Sequence, residues 1–378
     1  MSSMFRTFFK NNFTMLKVAC CWILDGRPLP KFYKYYFHVV HVLFVGTLNL
    51  LMCVNWVLAS TDLKKFASLG YIILVGIMAQ VKLLVIFYYR DDFGELVRQL
   101  DDDSFQPKTI AETNVVTHTL DHFAGIRKFL VRWCLASTIQ TIFSPLFTKK
   151  NEGLPVPAYY PISIAQLDTY VPVYMHQAIS VSYFALLSVY VDLMVAGYVT
   201  FIGIQCDVLC HRLKGIRKNN QRELRYCIRH HMKIFKFLKT TEKVFGKIYF
   251  GQLFASTTAL CMDLFLLSLT EPKTFEFFYL VVYLLAVANL LLVPCWFSTE
   301  MTRKSENIPF AAYSCDWVDS SNSFKKELIF FIRRAQRPLK FYAVDFFEIS
   351  VETFVKIIRT SLSYYAVLNN LNMEEKYY

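Results

Sequence analysis

Seven apolar stretches, separated by polar segments, follow one another along the chain. A helix that crosses a bilayer needs about 20 mostly apolar residues, and six of the stretches meet this requirement easily. The seventh is weaker, because Glu352, Lys356 and Arg359 lie inside it. We therefore predict an all-α membrane protein with one domain over residues 1–378 and seven transmembrane helices, at about residues 35–58, 67–89, 129–147, 172–203, 248–270, 275–297 and 349–371.

The composition also favours lipid as the solvent for much of the apolar surface. The chain is 55% hydrophobic and only 19% charged, whereas soluble proteins carry about 25% charged residues. The net charge of +12 is compatible with nucleic-acid binding, but the basic residues lie between the apolar stretches instead of forming one patch. We therefore expect a lipid bilayer as partner and no nucleic acid.

The distribution of Lys and Arg predicts the orientation in the membrane. With the N-terminus in the cytoplasm, 31 of the 41 basic residues fall in inner segments and six in outer segments. Basic residues concentrate on the cytoplasmic side of membrane proteins. The pattern therefore predicts an inverted topology, with the N-terminus inside and the C-terminus outside, opposite to that of G-protein-coupled receptors.

A polar stripe runs along the seventh predicted helix. At 100° per residue, its members lie within about 80° of one another; they are Glu352, Lys356, Arg359, Ser363, Val367 and Asn370. Charged groups at membrane depth are costly, so they normally face water or other protein. Either the stripe lines an aqueous pore, or it is buried against other helices with Glu352 and Lys356 paired one turn apart.

The longest inner segments predict helices in the cytoplasm. Residues 321–341 are amphipathic but too charged to span lipid, and we expect Pro338 to end this helix. Residues 204–247 carry twelve basic residues together with periodic apolar positions. We predict a cytoplasmic helical layer, at about 204–247 and 298–341, that packs subunits against one another.

Few side chains suggest other chemistry. His118 and His122 lie one helical turn apart, but no Glu follows the first His and no third ligand is evident, so we expect no metal site. We find no nucleophile–base pair and no Gly-rich phosphate loop, and therefore expect no catalytic residues, no cofactor and no enzyme activity. Asp192 and Asp263 lie within predicted spans; each is either functional or satisfies a Tyr or backbone group in the bundle.

A set of motifs near the C-terminus resembles the end of insect odorant receptors. The motifs are Tyr313 to Trp317, a basic amphipathic helix that ends in Gln336-Arg337-Pro338-Leu339, Phe346 to Phe354, and Thr360 to Tyr364. Residues 154–199 resemble the second extracellular loop and fourth span of the same family, with Asp192 and Gly197 at corresponding positions. The two matches cover over a quarter of the chain.

The resemblance implies a function that composition and spacing do not. Members of this family assemble as odorant-gated, nonselective cation channels with a shared co-receptor. The expected function is therefore that of a subunit that binds a small volatile odorant in a tetrameric assembly with the co-receptor. The expected location is the plasma membrane of sensory-neuron dendrites.

The resemblance also implies where an odorant binds. In the family the pocket lies in the outer half of the membrane, among spans 2, 3, 4 and 6. On the predicted topology the outer ends of these spans contribute Tyr71, Leu74, Val75, Met78, Ser137, Gln140, Thr141, Ile179, Tyr183, Tyr279 and Tyr283. Aromatic rings and Met suit shape-tolerant recognition, and the alternative for each residue is ordinary packing between helices.

Alignment on the Ser-Tyr-Tyr segment places a gate near the outer end of the seventh helix. Val367 and Leu371 fall where the co-receptor has its narrow apolar gate, and Asn370 takes the neighbouring polar pore position. An apolar ring can stop ions by dewetting. The alternatives to an odorant-gated channel are a gustatory channel for soluble tastants and, in another class, a metabotropic seven-helix receptor.

Overall fold

The computed structural model describes residues 4–18, 31–59, 61, 63–147, 153–164 and 166–375, and most of these residues lie in helices. The all-α class predicted from the apolar stretches is confirmed, apart from one small hairpin that the sequence did not predict. The α-helices are α1 (Met4–Phe8), α2 (Lys10–Val18), α3 (Lys31–Val40), α4 (Thr47–Leu58), α5 (Leu63–Tyr88), α6 (Arg90–Gln99), α7 (Ile110–Phe143), α8 (Leu167–Lys214), α9 (Gln221–Leu269), α10 (Phe275–Ser305), α11 (Ile308–Tyr313), α12 (Asn322–Ala335) and α13 (Val351–Glu375).

Shorter elements complete the description. A π-helix (His41–Gly46) joins α3 to α4, and two 3₁₀ turns lie at Asp103–Phe105 and Ser144–Leu146. The hairpin consists of β1 (Tyr342–Ala343) and β2 (Phe347–Glu348), which pair antiparallel between α12 and α13.

Five of the described helical stretches are long and apolar enough to cross a membrane: Tyr35–Leu58, Leu63–Tyr88, Leu167–Lys214, Gln221–Leu269 and Phe275–Tyr313. The third and seventh predicted spans lie in α7 and α13, which are less apolar. Helix α7 ends at Phe143, so a membrane-length window in it includes Arg127, Lys128 and Arg132. Helix α13 carries its own charges, and the count of seven spans and their orientation stay predictions.

Several helices extend well beyond the predicted spans. Helices α8 and α9 contain 48 and 49 residues, or roughly 70 Å each at 1.5 Å per residue. The hydrocarbon core is only about 30 Å thick. The predicted segment 204–247 therefore consists of the ends of these two helices, with a short turn over residues 215–220 between them.

Helix α7 begins 19 residues before the predicted third span because its first turn is capped. The Thr109 hydroxyl accepts a hydrogen bond from the Glu112 N–H at 3.1 Å, and the Glu112 carboxylate accepts from the Lys108 N–H at 2.7 Å. Such reciprocal bonds satisfy N–H groups that an α-helix leaves free at its start. Arg212 of α8 then binds the same carboxylate at 2.9 Å, which ties the two helices together.

The environment of Glu112 shows why this link holds at neutral pH. Burial would raise the pKa of the Glu112 carboxyl, but the hydrogen bonds from Arg212 and from the Lys108 backbone hold its pKa below the ordinary value. Both side chains of the pair are at most 8% exposed. The carboxylate is therefore ionised at neutral pH and paired in a site that water reaches poorly.

The hairpin positions α13 against α9. A side chain at Gly246 would place its Cβ 3.1 Å from the Tyr342 carbonyl oxygen, so glycine favours the close approach of the hairpin backbone to α9. The Glu242 carboxylate accepts a hydrogen bond from the Tyr342 N–H at 2.9 Å.

Helix α12 ends at Ala335, before Pro338, and buries Phe324, Leu328, Phe331 and Ala335.

Candidate functional site: an internal cavity and an exposed polar helix face

Helices α5, α7, α8 and α10 line a cavity of about 160 Å³. These helices correspond to predicted spans 2, 3, 4 and 6. Val156, from the segment between α7 and α8, also contributes, and its N–H donates to the Gln177 side chain at 3.0 Å. The lining residues are Ile72, Val75, Ala79, Leu130, Trp133, Cys134, Ser137, Thr138, Thr141, Val156, Val181, Phe184, Ala185, Ser188, Val189, Asp192, Leu193, Tyr279, Tyr283, Ala286, Asn289, Leu290 and Val293.

Five of the pocket residues proposed from the sequence line this cavity: Val75, Ser137, Thr141, Tyr279 and Tyr283. Tyr279 and Tyr283 stack along α10, with ring centroids 6.5 Å apart. The Tyr283 hydroxyl donates to the Tyr71 carbonyl oxygen at 3.1 Å. This bond fixes the position of the Tyr283 ring at the wall of the cavity.

The other six proposed pocket residues do not line it: Tyr71, Leu74, Met78, Gln140, Ile179 and Tyr183. Tyr71 supports Tyr283 from behind, with its ring edge-on at 4.8 Å between centroids. Met78 points at α9, where its side chain lies against Gly251. Ile179 is 48% exposed on the outside of α8. These six side chains lie on other faces of their helices than the residues that line the cavity.

Helical phase also explains the lining residues that the sequence analysis missed. Ser137 and Thr141 belong to one face of α7 that continues inward through Cys134, Trp133 and Leu130. This spacing of three and four residues is that of a helix face. The periodicity of this face, extended from Ser137 toward the start of α7, therefore predicts Cys134, Trp133 and Leu130 as lining residues.

The cavity wall is mostly apolar, and its two threonines differ in their hydrogen bonding from two other polar groups. The hydroxyls of Thr138 and Thr141 donate to carbonyls of α7, at 2.8 and 3.0 Å. In contrast, the Trp133 indole nitrogen and the Ser137 hydroxyl are buried and have no hydrogen-bond partner among the described residues. Among the buried side-chain atoms of the wall, these two have no hydrogen-bond partner within the described chain.

A buried ion pair lies at the end of the cavity opposite Tyr279. The Lys82 ammonium donates to both Asp192 carboxylate oxygens, at 2.8 and 2.7 Å, and to the Ser188 hydroxyl at 3.1 Å. The Tyr249 hydroxyl donates to the same carboxylate at 3.4 Å. The Lys82 and Asp192 side chains are 1% and 7% exposed. The pair thus links α5, α8 and α9 beside the cavity.

The two aspartates singled out in the sequence differ in environment. Asp192 satisfies the Tyr249 hydroxyl, as one of the two interpretations predicted, but its main partner is Lys82. Asp263 of α9 is 1% exposed, and its carboxylate oxygens have no hydrogen-bond partner within the described segments.

The polar stripe of α13 faces away from the other helices of the chain. Glu352, Lys356, Arg359, Ser363 and Val367 are all exposed. The opposite face packs on α9, where Ile357 is buried and the Ser361 hydroxyl donates to the Thr257 carbonyl at 3.2 Å.

Glu352 and Lys356 form an ion pair of 2.7 Å, but their side chains are 77% and 71% exposed. The pairing considered in the sequence analysis is therefore present, without burial of the stripe by helices of this chain. The side chains of Asn370 and Leu371 lie outside the described residues.

Long apolar helices around an internal cavity define a helical membrane protein with room for a small molecule. The sequence model of the 7tm Odorant receptor family matches residues 54–362 of this chain. The match covers well over half of the chain, so the chain belongs to the odorant receptor family, as the motifs near its C-terminus predicted.

Individual proteins agree with the family match. Odorant receptor 46a, isoform A, of Drosophila melanogaster is 23% identical over 98% of this chain and 100% of its own length. Odorant receptor 10 of Aedes albopictus is 23% identical over 82% of this chain and 85% of its own length.

The same fold occurs in a solved structure. The insect olfactory receptor OR5 from Machilis hrabei, in complex with eugenol, superimposes with a TM-score of 0.87 over 97% of this chain and 98% of its own, at 18% identity. At this identity the likeness shows the shared fold. The chain is thus a membrane protein of the insect odorant receptor family.

Proposed function

We propose that this odorant receptor is the ligand-binding subunit of an odorant-gated, nonselective cation channel. It assembles as a tetramer with a co-receptor subunit in the plasma membrane of sensory-neuron dendrites. The observation that carries the channel proposal is the exposed polar stripe of α13. A charged helix face at membrane depth needs water or protein beside it, and no helix of this chain covers it within the described residues.

Repetition of α13 around a symmetry axis would give its stripe an aqueous pore to face. The opposite face of α13 packs on α9, so the stripe belongs to the exposed part of the helix that is left for the axis. Val367, which is 55% exposed, and Leu371 form the apolar gate in this arrangement, with Asn370 beside them. Lys356 and Arg359 lie toward the inner, wider end, where Glu352 partly offsets their charge.

The cavity is the odorant site in this proposal. A cavity of about 150 Å³ with apolar walls binds a molecule of the size of benzene, and the cavity described above has about 160 Å³. Its rings, Trp133, Phe184, Tyr279 and Tyr283, offer offset and edge-on contacts to a small apolar molecule. Val75, Ser137 and Thr141, which the sequence analysis also predicted as pocket residues, contact the ligand together with Tyr279 and Tyr283.

Helix α9 connects the cavity to the proposed pore. It contacts the Asp192 end of the cavity through Tyr249 and packs along α13 two turns further on, at Thr257. A ligand favours the open channel only to the extent that it binds the open arrangement of the helices more tightly than the closed one. We propose that this difference arises where α5, α7, α8 and α10 pack around the ligand.

Recording from excised patches tests the channel proposal against the metabotropic alternative. With the chain and the co-receptor coexpressed, we expect ligand-evoked cation current that persists in inside-out patches without GTP. A current that is lost on excision and restored by GTP would instead support a metabotropic receptor. Patches from cells that express the co-receptor alone are the control.

A further inference from the structure

The two unpaired polar groups of the cavity identify the chemistry of its ligand. The Trp133 indole N–H and the Ser137 hydroxyl are buried and without a hydrogen-bond partner in the described part of the chain. Both side chains line the cavity. They lie four residues apart on α7, so they are neighbours on one helix face. Because buried donors are normally satisfied, a ligand is the natural source of the missing partner.

The donor inventory decides which ligand group fits. An indole nitrogen can only donate, and a serine hydroxyl can donate as well. A carbonyl oxygen has two lone pairs and needs no acceptor from the protein, so one such oxygen can take both bonds. The hydroxyls of Thr138 and Thr141 do not compete for it, since both already donate to backbone carbonyls.

The charges at the Asp192 end of the cavity exclude ionised ligands. Asp192 lines the cavity, but its carboxylate is already paired with Lys82 at 2.7 Å. A cationic amine would meet a carboxylate that is already neutralised. A carboxylate ligand would find no free cation among the lining residues and would approach Asp192 itself. Burial of an unpaired charge is strongly unfavourable, so the ligand is neutral.

We propose, on the basis that the cavity is the odorant site, that it selects neutral, compact molecules that carry one carbonyl oxygen. Their size is roughly six to ten non-hydrogen atoms, from the comparison with the benzene-sized cavity. Trp133 and Ser137 are the specificity-determining residues, and the aromatic rings of the cavity bind the apolar body. Small aromatic ketones and aldehydes combine these properties.

A pair of nearly isosteric molecules tests this proposal. Acetophenone and α-methylstyrene differ only in a C=O group in place of a C=CH₂ group. With the full chain and the co-receptor coexpressed, we expect acetophenone to activate at about tenfold lower concentration, the size of effect that hydrogen bonds to buried donors produce. Ser137→Ala and Trp133→Phe should each reduce this ratio toward one, chiefly by weakening the response to acetophenone.

A neighbouring hydroxyl provides the matched control. Thr138→Val removes a hydroxyl from the same cavity wall, but that hydroxyl already donates to the Cys134 carbonyl at 2.8 Å. We therefore expect the ratio between the two molecules to stay near its wild-type value in this variant. A ratio that falls equally in the Thr138→Val and Ser137→Ala receptors would overturn the assignment of Ser137.

A variant that fills the cavity separates this inference from the proposed function. Ala286→Trp should abolish the responses to both molecules if the cavity is the odorant site. If Ala286→Trp abolishes both responses, but Ser137→Ala and Trp133→Phe leave the ratio of the two activating concentrations unchanged, the cavity is the odorant site and the proposed carbonyl selectivity is wrong. If the filled receptor still responds, the proposed site itself is wrong. Absence of any response of the wild-type receptor to acetophenone at millimolar concentration would also overturn the inference.

Discussion

Removal of one charge from the Lys82–Asp192 pair should prevent most of the receptor from reaching the cell surface. Lys82→Met or Asp192→Asn leaves the other charge buried without its partner. Breaking a buried ion pair in this way costs about 3–5 kcal/mol, a large part of the roughly 5–15 kcal/mol by which proteins are stable. Surface labelling of tagged receptor and thermal unfolding in detergent measure the effect.

Two variants distinguish the loss of pairing from the loss of a side chain. The double substitution of Lys82→Met with Asp192→Leu removes both charges and should recover much of the surface expression, because apolar replacement of a buried pair is often neutral. Lys356→Met makes the same change in the exposed Glu352–Lys356 pair, whose 2.7 Å separation matches that of the buried pair. An exposed pair contributes only about 0–1 kcal/mol, so this variant should fold normally. Equal losses from Lys82→Met and Lys356→Met would show that the buried pair has no special role.

The second large effect is expected from filling the cavity. Ala286→Trp places an indole ring in a cavity of about 160 Å³ and leaves little room for another molecule. Overpacking of this kind also costs about 1–3 kcal/mol in strain. A ligand that entered the filled cavity would increase this strain further. We expect sensitivity to every activating odorant to fall by roughly a hundredfold or more, equivalent to about 3 kcal/mol of lost binding.

The adjacent residue on α10 supplies the control. Leu285 is 43% exposed and does not line the cavity, so Leu285→Trp adds the same ring to the outer face of the helix. Odorant dose–response curves should be nearly unchanged in that variant, at equal surface expression. Similar losses in both variants would mean that α10 tolerates no large ring at either position. The smaller side chain of Ala286→Leu would then have to reduce the response in proportion to the cavity volume that it fills, and an unchanged response would show that the cavity is not the odorant site.

Some of this structure follows from local sequence patterns. The end of α12 before Pro338 and the stripe of Glu352, Lys356 and Arg359 on α13 depend only on neighbouring residues, and helical periodicity is sufficient to predict them. The continuation of α8 and α9 into the basic segment follows in the same way from periodic apolar positions. Such features follow from neighbouring residues alone.

Features that depend on residues far apart in the chain were not predicted. The position of Asp192 within a span follows from the sequence, but its pairing with Lys82 joins positions 110 residues apart. The hairpin of β1 and β2 packs closely on Gly246 of α9, which lies about a hundred residues earlier in the chain. The depth of the cavity likewise depends on how the faces of α5, α7, α8 and α10 are rotated toward one another. None of these can be deduced from the periodicity of a single helix.

The most direct test of the account is the accessibility of α13 to water from the ion pathway. Cysteines are introduced singly at Lys356, Arg359 and Ser363 on the stripe, and at Ile357 and Ser361 on the face that packs on α9. A cationic methanethiosulfonate reagent is then applied during odorant-evoked current in cells that also express the co-receptor. We predict rapid, irreversible change of the current for the three stripe positions, and none for Ile357, Ser361 or the wild-type receptor. Stripe cysteines that stay unmodified, or that react without any effect on the current, would contradict the assignment of α13 to the pore.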